Sequence, residues 1–201
     1  DRLDTREVDI SSEGSVQARL SAGRSAHGRL DVLDNNAGLT NKAAFDFDVV
    51  NMDVEMWDEI QAVNVRGTML MCKHAVPLMI ESGGGSIINI SSDQGLSGDT
   101  MTVAYGTSKG GINSMTRFIA SAYGKHGIRC NTVAPGMISS ETMLATVPEP
   151  MGSMLVKLEK PKCPPISSTR AQITSVIAAI TVIASTDHRV SRSRSRQSSH
   201  G

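Results

Sequence analysis

The sequence predicts an α/β fold in which a parallel sheet is covered by helices. Short apolar runs alternate along the chain with longer helix-like stretches, which is typical of βαβ units. A polar or glycine-bearing loop follows three of the apolar runs, at 35–38, 91–95 and 135–140. In an open parallel sheet such loops meet at the carboxyl ends of the strands, where ligands bind. The 201 residues, 39% of them hydrophobic, suffice for one domain with a buried core.

Four runs are predicted to be strands because they are rich in valine, isoleucine or leucine and are bounded by turn residues. In chain order they are Val8–Ile10, Leu30–Leu33, Ser86–Ile90 and Ile128–Val133. Strands of a parallel sheet are normally buried on both faces and therefore apolar throughout. Asp34 departs from this pattern, because a carboxylate in a core strand is costly unless it is exposed or paired.

Four helices are predicted between and after these strands. In chain order they cover 12–26, Trp57–Ile80, Val103–Tyr123 and Ile173–Ser185. Ser12 can cap the first helix and Gly28 can end it. The run Gly83-Gly84-Gly85 closes the second helix, and Gly124 closes the third.

The composition narrows the classes of function. Lysine plus arginine (20) equals aspartate plus glutamate (20), so the charge does not indicate a nucleic-acid or membrane partner. No apolar run is long enough to span a bilayer. The three cysteines have no metal-site or redox spacing, which predicts no metal and reduced thiols in a cytoplasmic protein. The chain opens on Asp1-Arg2-Leu3, as a segment cut from a longer sequence would.

A serine, a tyrosine and a lysine stand at spacings that suit proton transfer. Ser92 lies thirteen positions before Tyr105, and Lys109 lies four positions after it. On a helix Tyr105 and Lys109 would share one face. A lysine ammonium stabilises a phenolate and lowers the tyrosine pKa from its usual value of about 10. Such a triplet arises by chance in roughly a few per cent of chains this long, so the prediction depends on the neighbouring motifs.

With its neighbours, the triplet gives residues 7–140 a specific resemblance to the short-chain dehydrogenase/reductase family, which uses NAD or NADP. The matching residues are Asp9-Ile10, Asn35-Asn36-Ala37-Gly38, Asn64 in Asn64-Val65-Arg66-Gly67, Ser92, Tyr105, Lys109 and Pro135-Gly136. The resemblance implies a Rossmann-like, doubly wound parallel sheet. It also implies hydride transfer between a nicotinamide cofactor and a secondary alcohol or ketone.

The resemblance implies four catalytic residues. Tyr105 would be the general acid/base, and Ser92 would orient the substrate oxygen. Lys109 would lower the tyrosine pKa and hold the nicotinamide ribose. Asn64 would hold a water that relays protons from Lys109, although a solvent-facing helix asparagine is the alternative.

The resemblance also implies a set of cofactor-binding residues. They are Asp9, Ile10, Asn36, Ala37, Gly38, Tyr105, Lys109, Pro135, Gly136, Ile138 and Ser140. Asp9 and Ile10 would contact the adenine. Ser140 stands where the family has a threonine that contacts the nicotinamide carboxamide, and it keeps the hydroxyl.

The N-terminal end departs from the family pattern. The family begins with a strand and a TGxxxGxG turn that receives the cofactor pyrophosphate at a helix N-terminus. This sequence has no such turn, so we expect the first βαβ unit to be missing, with central strand edges unpaired. We also expect weak cofactor binding, with a dissociation constant of about 1 mM and a binding free energy of about −4 kcal/mol. In the family, the residue that selects between NAD and NADP ends the second strand. If Asp1-Arg2 is the remnant of that strand end, it favours NAD; that Asp1-Arg2 is a junction beside a deletion is an equal alternative.

The C-terminal end departs as well. Residues 139–165 are rich in methionine, leucine and proline, and they can be either a loop over an apolar substrate or a connector. The glycine-rich final strand of the family is absent. We predict one partial dehydrogenase domain over 1–188 and a disordered Arg/Ser-rich tail over 189–201. An RNA-binding tail is a rival that the globular part does not support.

Two functions stay open. The first is a dehydrogenase acting on a small-molecule alcohol or ketone. The second is a non-catalytic relative, either a pseudoenzyme or a dimerising subunit, and cofactor binding distinguishes the two. The resemblance implies that Trp57–Ile80 and Val103–Tyr123 form a four-helix interface, so a homo-oligomer, dimer or tetramer, is expected.

Overall fold

The computed structural model describes residues 4–40, 46 and 48–136. The regular elements are helix α1 (Glu13–His27), strand β1 (Val32–Asn35), helix α2 (Val54–Gln61), a π-helical turn (Ala62–Gly67), helix α3 (Thr68–Glu81), strand β2 (Gly85–Ile90), helix α4 (Val103–Tyr123) and strand β3 (Ile128–Val133). Short 3-10 turns occur at Asp93–Gly95 and Gly124–His126. The parallel α/β fold predicted from the sequence is confirmed.

The three strands form a parallel sheet in the order β1-β2-β3. Asn35 on β1 lies beside Asn89 on β2, which in turn lies beside Thr132 on β3. One face of the sheet is buried, with Leu33 and Ile87 fully inaccessible. The carboxyl ends of all three strands therefore reach the same edge.

Helices α1, α3 and α4 supply most of the rest of one continuous core, and Ile10 and Leu30 from the loops beside α1 complete it. Its buried members are Ile10, Val16, Leu20, Leu30, Leu33, Leu70, Met71, Cys72, Ala75, Val76, Met79, Ile87, Ile119, Ile128 and Cys130. On the opposite face of the sheet, Ile88 is only partly buried, while Arg129 and Asn131 are exposed. Burying the large aliphatic side chains stabilises the fold by about 1.5–3 kcal/mol each.

Local signals in the sequence explain most helix ends. Helix α1 ends at Gly28, whose left-handed conformation (φ 74°) lets its N–H donate to the Arg24 carbonyl. Asp53 caps α2 by accepting hydrogen bonds from two backbone N–H groups. The long helix predicted over Trp57–Ile80 is found as α2, the π-helical turn and α3, and the bounds predicted for α4 and β3 are confirmed.

Two strand predictions need correction. Val8–Ile10 is not a strand: the Asp9 carboxylate accepts hydrogen bonds from the N–H and the hydroxyl of Ser11, which turns the chain directly into α1. The strand predicted at Leu30–Leu33 lies two residues later, at Val32–Asn35, because Val32 is the first residue to pair with β2. Leu30 instead donates its N–H to the Ser82 hydroxyl.

Several other predictions fall outside the described residues. They are the helix Ile173–Ser185, the segment 139–165 and the tail 189–201. None of the described helices combines the length and the apolar character that a membrane span requires. Residues 4–40, 46 and 48–136 contain no cluster of three or more metal-binding side chains.

Candidate active site

The site lies where β2 and β3 end against the first turns of α4. Ser91 and Ser92 follow β2 directly, and Ser91 N donates to the Val133 carbonyl at 2.7 Å. Asp93 N donates to the Pro135 carbonyl at 3.0 Å. These bonds hold the 91–95 and 135–136 loops together, as the sequence predicted for loops at neighbouring strand ends.

Lys109 is buried beside Tyr105. Its side chain is only 3% exposed, and its Nζ donates to the Ile90 carbonyl at 2.9 Å. The same Nζ lies 5.5 Å from the centroid of the Tyr105 ring. Burial lowers the pKa of Lys109 to about 8, because the charged ammonium loses its contact with water. The lysine is therefore still largely protonated at neutral pH.

The pKa of Tyr105 moves opposite to the sequence-based expectation. Burial raises it, a hydrogen bond with Ser92 lowers it, and the negative charge of Asp93 raises it. The expectation rested on the lysine, but the Lys109 ammonium donates to the Ile90 carbonyl, and burial of the phenol has the largest influence on the pKa of Tyr105. The phenol is therefore protonated at neutral pH.

Ser92 is buried and is held by the turn that it begins. Its Oγ donates to Asp93 Oδ1 at 3.0 Å and accepts from Gln94 N at 3.3 Å. Ser91 Oγ donates to the Lys109 carbonyl at 2.9 Å, which fixes the end of β2 on α4. Gly95 permits this packing, because a Cβ there would lie 2.6 Å from the Lys109 carbonyl carbon.

Asn64 lies in the π-helical turn and is fully buried, so the solvent-facing alternative is wrong. Its Oδ1 accepts from Leu39 N at 2.7 Å, and its Nδ2 donates to Ser108 Oγ at 3.0 Å. The side chain thus links the loop after β1 to α4. The implied water relay stays a prediction.

Asp46 is a site residue that the sequence analysis missed. It is fully buried, and its carboxylate accepts from Ala104 N at 3.0 Å and from Tyr105 N at 2.7 Å. Its own carbonyl accepts from Thr102 N at 2.7 Å. No local pattern could have indicated it, because the capped residues lie 58 and 59 positions further along the chain.

The predicted cofactor residues are brought together only in part. A Cβ built on Gly38 would lie 3.2 Å from Asn64 Oδ1 and 3.7 Å from Lys109 Nζ, so this turn adjoins two of the predicted catalytic residues. Ile10 and Ala37 share a small cavity with the end of β1, whereas Asn36 is exposed. Asp9 is exposed, and hydrogen bonds from Ser11 lower the pKa of its carboxyl. The predicted cofactor residues Ile138 and Ser140 lie outside the described residues.

Comparisons with known proteins agree with this geometry. A family model described as enoyl-(acyl carrier protein) reductase matches residues 2–189. A probable short-chain type dehydrogenase/reductase of Bradyrhizobium diazoefficiens is 41% identical over 136 residues, which make up 68% of this chain and 48% of that protein.

Solved structures are similar as well. ElxO with NADP bound has a TM-score of 0.65 and 33% identity, over 69% of this chain and 54% of that chain. NAD+-bound xylitol dehydrogenase has a TM-score of 0.64 and 30% identity, over 68% of this chain and 51% of that chain. The chain belongs to the short-chain dehydrogenase/reductase family of oxidoreductases, and it spans about half the length of the relatives it matches.

Proposed function

We propose that the protein transfers a hydride between NAD or NADP and a secondary alcohol or ketone. The observation that carries this proposal is the placement of Ser92, Tyr105 and a buried Lys109 around the carboxyl end of β2. A phenol with a hydroxyl and an ammonium group beside it can exchange a proton with a substrate oxygen. Family membership supports the same chemistry.

Each of the three side chains has a separate task in this proposal. Tyr105 gives its proton to the carbonyl oxygen during reduction and takes it from the alcohol during oxidation. Ser92 orients that oxygen through its hydroxyl. The ammonium of Lys109 uses one of its three N–H donors on the Ile90 carbonyl, which leaves two for other acceptors.

We infer that residues at the strand ends would hold a nicotinamide cofactor. A Cβ at Gly38 would press on Asn64 Oδ1 at 3.2 Å, so the glycine lets the backbone of this turn lie close to Asn64 and Lys109. The residues that would hold the cofactor are Asp9, Ile10, Asn36, Ala37, Gly38, Tyr105, Lys109, Pro135, Gly136, Ile138 and Ser140. When bound, the cofactor donates or accepts the hydride; the choice between NAD and NADP stays open.

The direction of the Tyr105 pKa shift predicts the pH dependence of the two directions. Because its pKa is raised, Tyr105 holds its proton at neutral pH, which suits donation during reduction. Oxidation requires the phenolate, so its rate should rise with pH towards and beyond pH 10.

The test is a spectrophotometric assay of the 201-residue chain at 340 nm with NAD, NADP and their reduced forms at millimolar concentration. Butan-2-ol represents secondary alcohols, and 2-methylpropan-2-ol, which has no hydrogen on its carbinol carbon, is the matched control. We expect cofactor reduction with the secondary alcohol alone. An absence of turnover with a broad panel of secondary alcohols and both cofactors would contradict the proposal for this chain.

We also propose that two copies pair through α3 and α4. Phe118 on α4 is 74% exposed and Met69 on α3 is 39% exposed, although both are large apolar side chains. Exposed apolar groups on adjacent helices are typical of a protein interface. Sedimentation velocity should show a dimer that Phe118→Ser converts to monomer; a monomer in both samples would refute pairing through this face.

A further inference from the structure

The first turn of α4 has no cap from its own neighbourhood. The N-terminal N–H groups of a helix have no partner within the helix and need an acceptor from elsewhere. Thr102 precedes the helix in a left-handed conformation (φ 62°), and its side chain caps none of these groups. Ala104 N and Tyr105 N instead donate to the two oxygens of Asp46.

We propose that Asp46 is a positioning residue for Tyr105: it fixes the tyrosine backbone, and thereby the place of the phenol between Ser92 and Lys109. The bond from Tyr105 N is 2.7 Å long, and Asp46 is fully buried, so water does not compete for it. The proposal goes beyond the acid/base chemistry proposed above, because it concerns a residue that touches neither substrate nor cofactor.

A second set of contacts joins Leu39, which follows the predicted cofactor-binding turn 35–38, to helix α4. Leu39, the residue after Gly38, exchanges hydrogen bonds with Asn64 through both its N–H and its carbonyl. Asn64 in turn donates to Ser108, one residue before Lys109. Two described residues that follow β1 are thus fixed to α4: Asp46 directly, at the N–H groups of Ala104 and Tyr105, and Leu39 through Asn64, at Ser108.

The first test is hydrogen exchange of individual amides. In the wild-type chain Ala104 N–H and Tyr105 N–H should exchange slowly, because Asp46 is their acceptor. In Asp46→Ala both should lose protection while the middle of α4 keeps it. Asp46→Asn keeps a single acceptor oxygen, so the loss of protection should be partial. If the alanine variant does not fold, the asparagine variant can be measured instead. Unchanged protection in either variant would overturn the proposal.

The second test reads the surroundings of Tyr105 without requiring turnover. The chain has two tyrosines, so in a Tyr123→Phe background the tyrosinate absorbance reports Tyr105 alone. In Asp46→Asn the phenol of Tyr105 should become more accessible to water. Its titration midpoint should then fall towards the ordinary tyrosine value of about 10. Circular dichroism over the same pH range establishes that the helices persist.

Asp53→Asn is the matched control, because Asp53 likewise accepts hydrogen bonds from two backbone N–H groups but caps a different helix, α2. It should leave the Tyr105 titration unchanged. If Asp46→Asn also leaves that titration unchanged, Asp46 merely caps a helix and the positioning role is wrong.

A third measurement is the turnover number, and it rests on the proposed function. Misplacement of a reacting group by about 1 Å can cost on the order of 100-fold in rate. We expect Asp46→Asn to lower kcat by roughly 10- to 100-fold while KM changes little. The first two tests do not depend on turnover, so a failure of the proposed reaction remains distinguishable from a failure of this proposal.

Discussion

Asn89 and Asp34 lie on neighbouring strands of one sheet, yet the side chain of Asn89 has hydrogen-bond partners and that of Asp34 has a buried oxygen without one in the part of the chain that the structure describes. Asn89 is fully buried; its Nδ2 donates to Thr116 Oγ1 at 2.9 Å, and its Oδ1 accepts from Asn35 Nδ2 at 2.8 Å. Asp34 has a buried Oδ1 that accepts no hydrogen bond from the described residues. Burying a polar group without a partner costs on the order of 1–3 kcal/mol.

The contrast extends to two regions of the molecule. In the α4 region, which comprises β2, β3 and α4, the buried polar groups Ser91, Asn89 and Lys109 all have partners. The β1 edge, which comprises Ile10 and β1 with its following turn, contains the unpartnered oxygen of Asp34 and a small cavity. The difference teaches that Ser92 and Lys109, two of the predicted catalytic residues, are held by contacts within the α4 region, whereas the turn 35–38 lies beside the edge that contains the unpartnered oxygen.

The largest expected effect comes from breaking the asparagine network in the α4 region. Asn89→Ala removes the hydrogen bonds of Asn89 with Asn35 Nδ2 and Thr116 Oγ1 and leaves Asn35 Nδ2, among the described residues, with only the Cys72 sulfur at 3.4 Å. The free energy of unfolding should therefore fall by about 2–4 kcal/mol. Urea denaturation measures this change. Asn131→Ala, at an exposed position on β3, should stay within about 0.5 kcal/mol of wild type; equal losses in both would refute the network.

The next effect concerns the buried ammonium of the α4 region. Burial lowers the pKa of Lys109 from its ordinary value of 10.5 to about 8 in the folded chain. Between these values the unfolded chain holds more protons, so its contribution makes the free energy of unfolding rise with pH. From pH 7.5 to 9.5 we expect the free energy of unfolding to increase by on the order of 1–2 kcal/mol because of this group. Lys109→Met should abolish the increase, whereas Lys125→Met, the exposed control, should retain it. The same pH dependence in Lys109→Met would contradict this assignment.

A smaller effect of opposite sign tests the β1 edge. Burial raises the pKa of Asp34, so the folded chain binds the proton more tightly and stability falls as pH rises from about 4 through the raised pKa. Asp34→Asn removes the charge and should stabilise the chain by about 1 kcal/mol at pH 7, with no such gain well below pH 4. Asp58→Asn, an exposed carboxyl on α2, is the control. Destabilisation by Asp34→Asn at pH 7 would show that the carboxylate has a partner.

The smallest effect sharpens the electrostatics of the site. The charge of Asp93 raises the pKa of Tyr105, so Asp93→Asn should lower the tyrosinate midpoint in the Tyr123→Phe background. Asp93 is exposed, and salt should therefore diminish the difference. Asp99→Asn should leave the midpoint unchanged. A rise in the midpoint of the Asp93 variant would contradict the assignment.

The sequence predicted best the elements whose ends are fixed by neighbouring residues. The bounds of α4 and β3 were correct because glycines and an apolar run mark them. Ser92, Tyr105 and Lys109 were located for the same reason: their spacing within one strand–helix unit fixes their geometry. The bounds of β1 were displaced by two residues, since pairing with β2 decides where that strand begins.

Non-local contacts and burial explain what the sequence did not predict. Val8–Ile10 is apolar enough for a strand, but hydrogen bonds of the Asp9 carboxylate to Ser11 turn the chain into α1. Asp46 was missed because its partners are far along the chain. The direction of the Tyr105 pKa shift depends on the burial of the phenol, which no spacing reveals.

The most direct test of the central claim, that Tyr105 exchanges the proton with the substrate oxygen, is the rate of hydride transfer in Tyr105→Phe. The ring stays and only the hydroxyl is lost, so kcat with a secondary alcohol should fall by about 100-fold or more, while the dissociation constant of the cofactor changes little. Tyr123→Phe, the same change at the far end of α4, should keep wild-type kcat. A Tyr105→Phe chain with wild-type kcat would contradict the account.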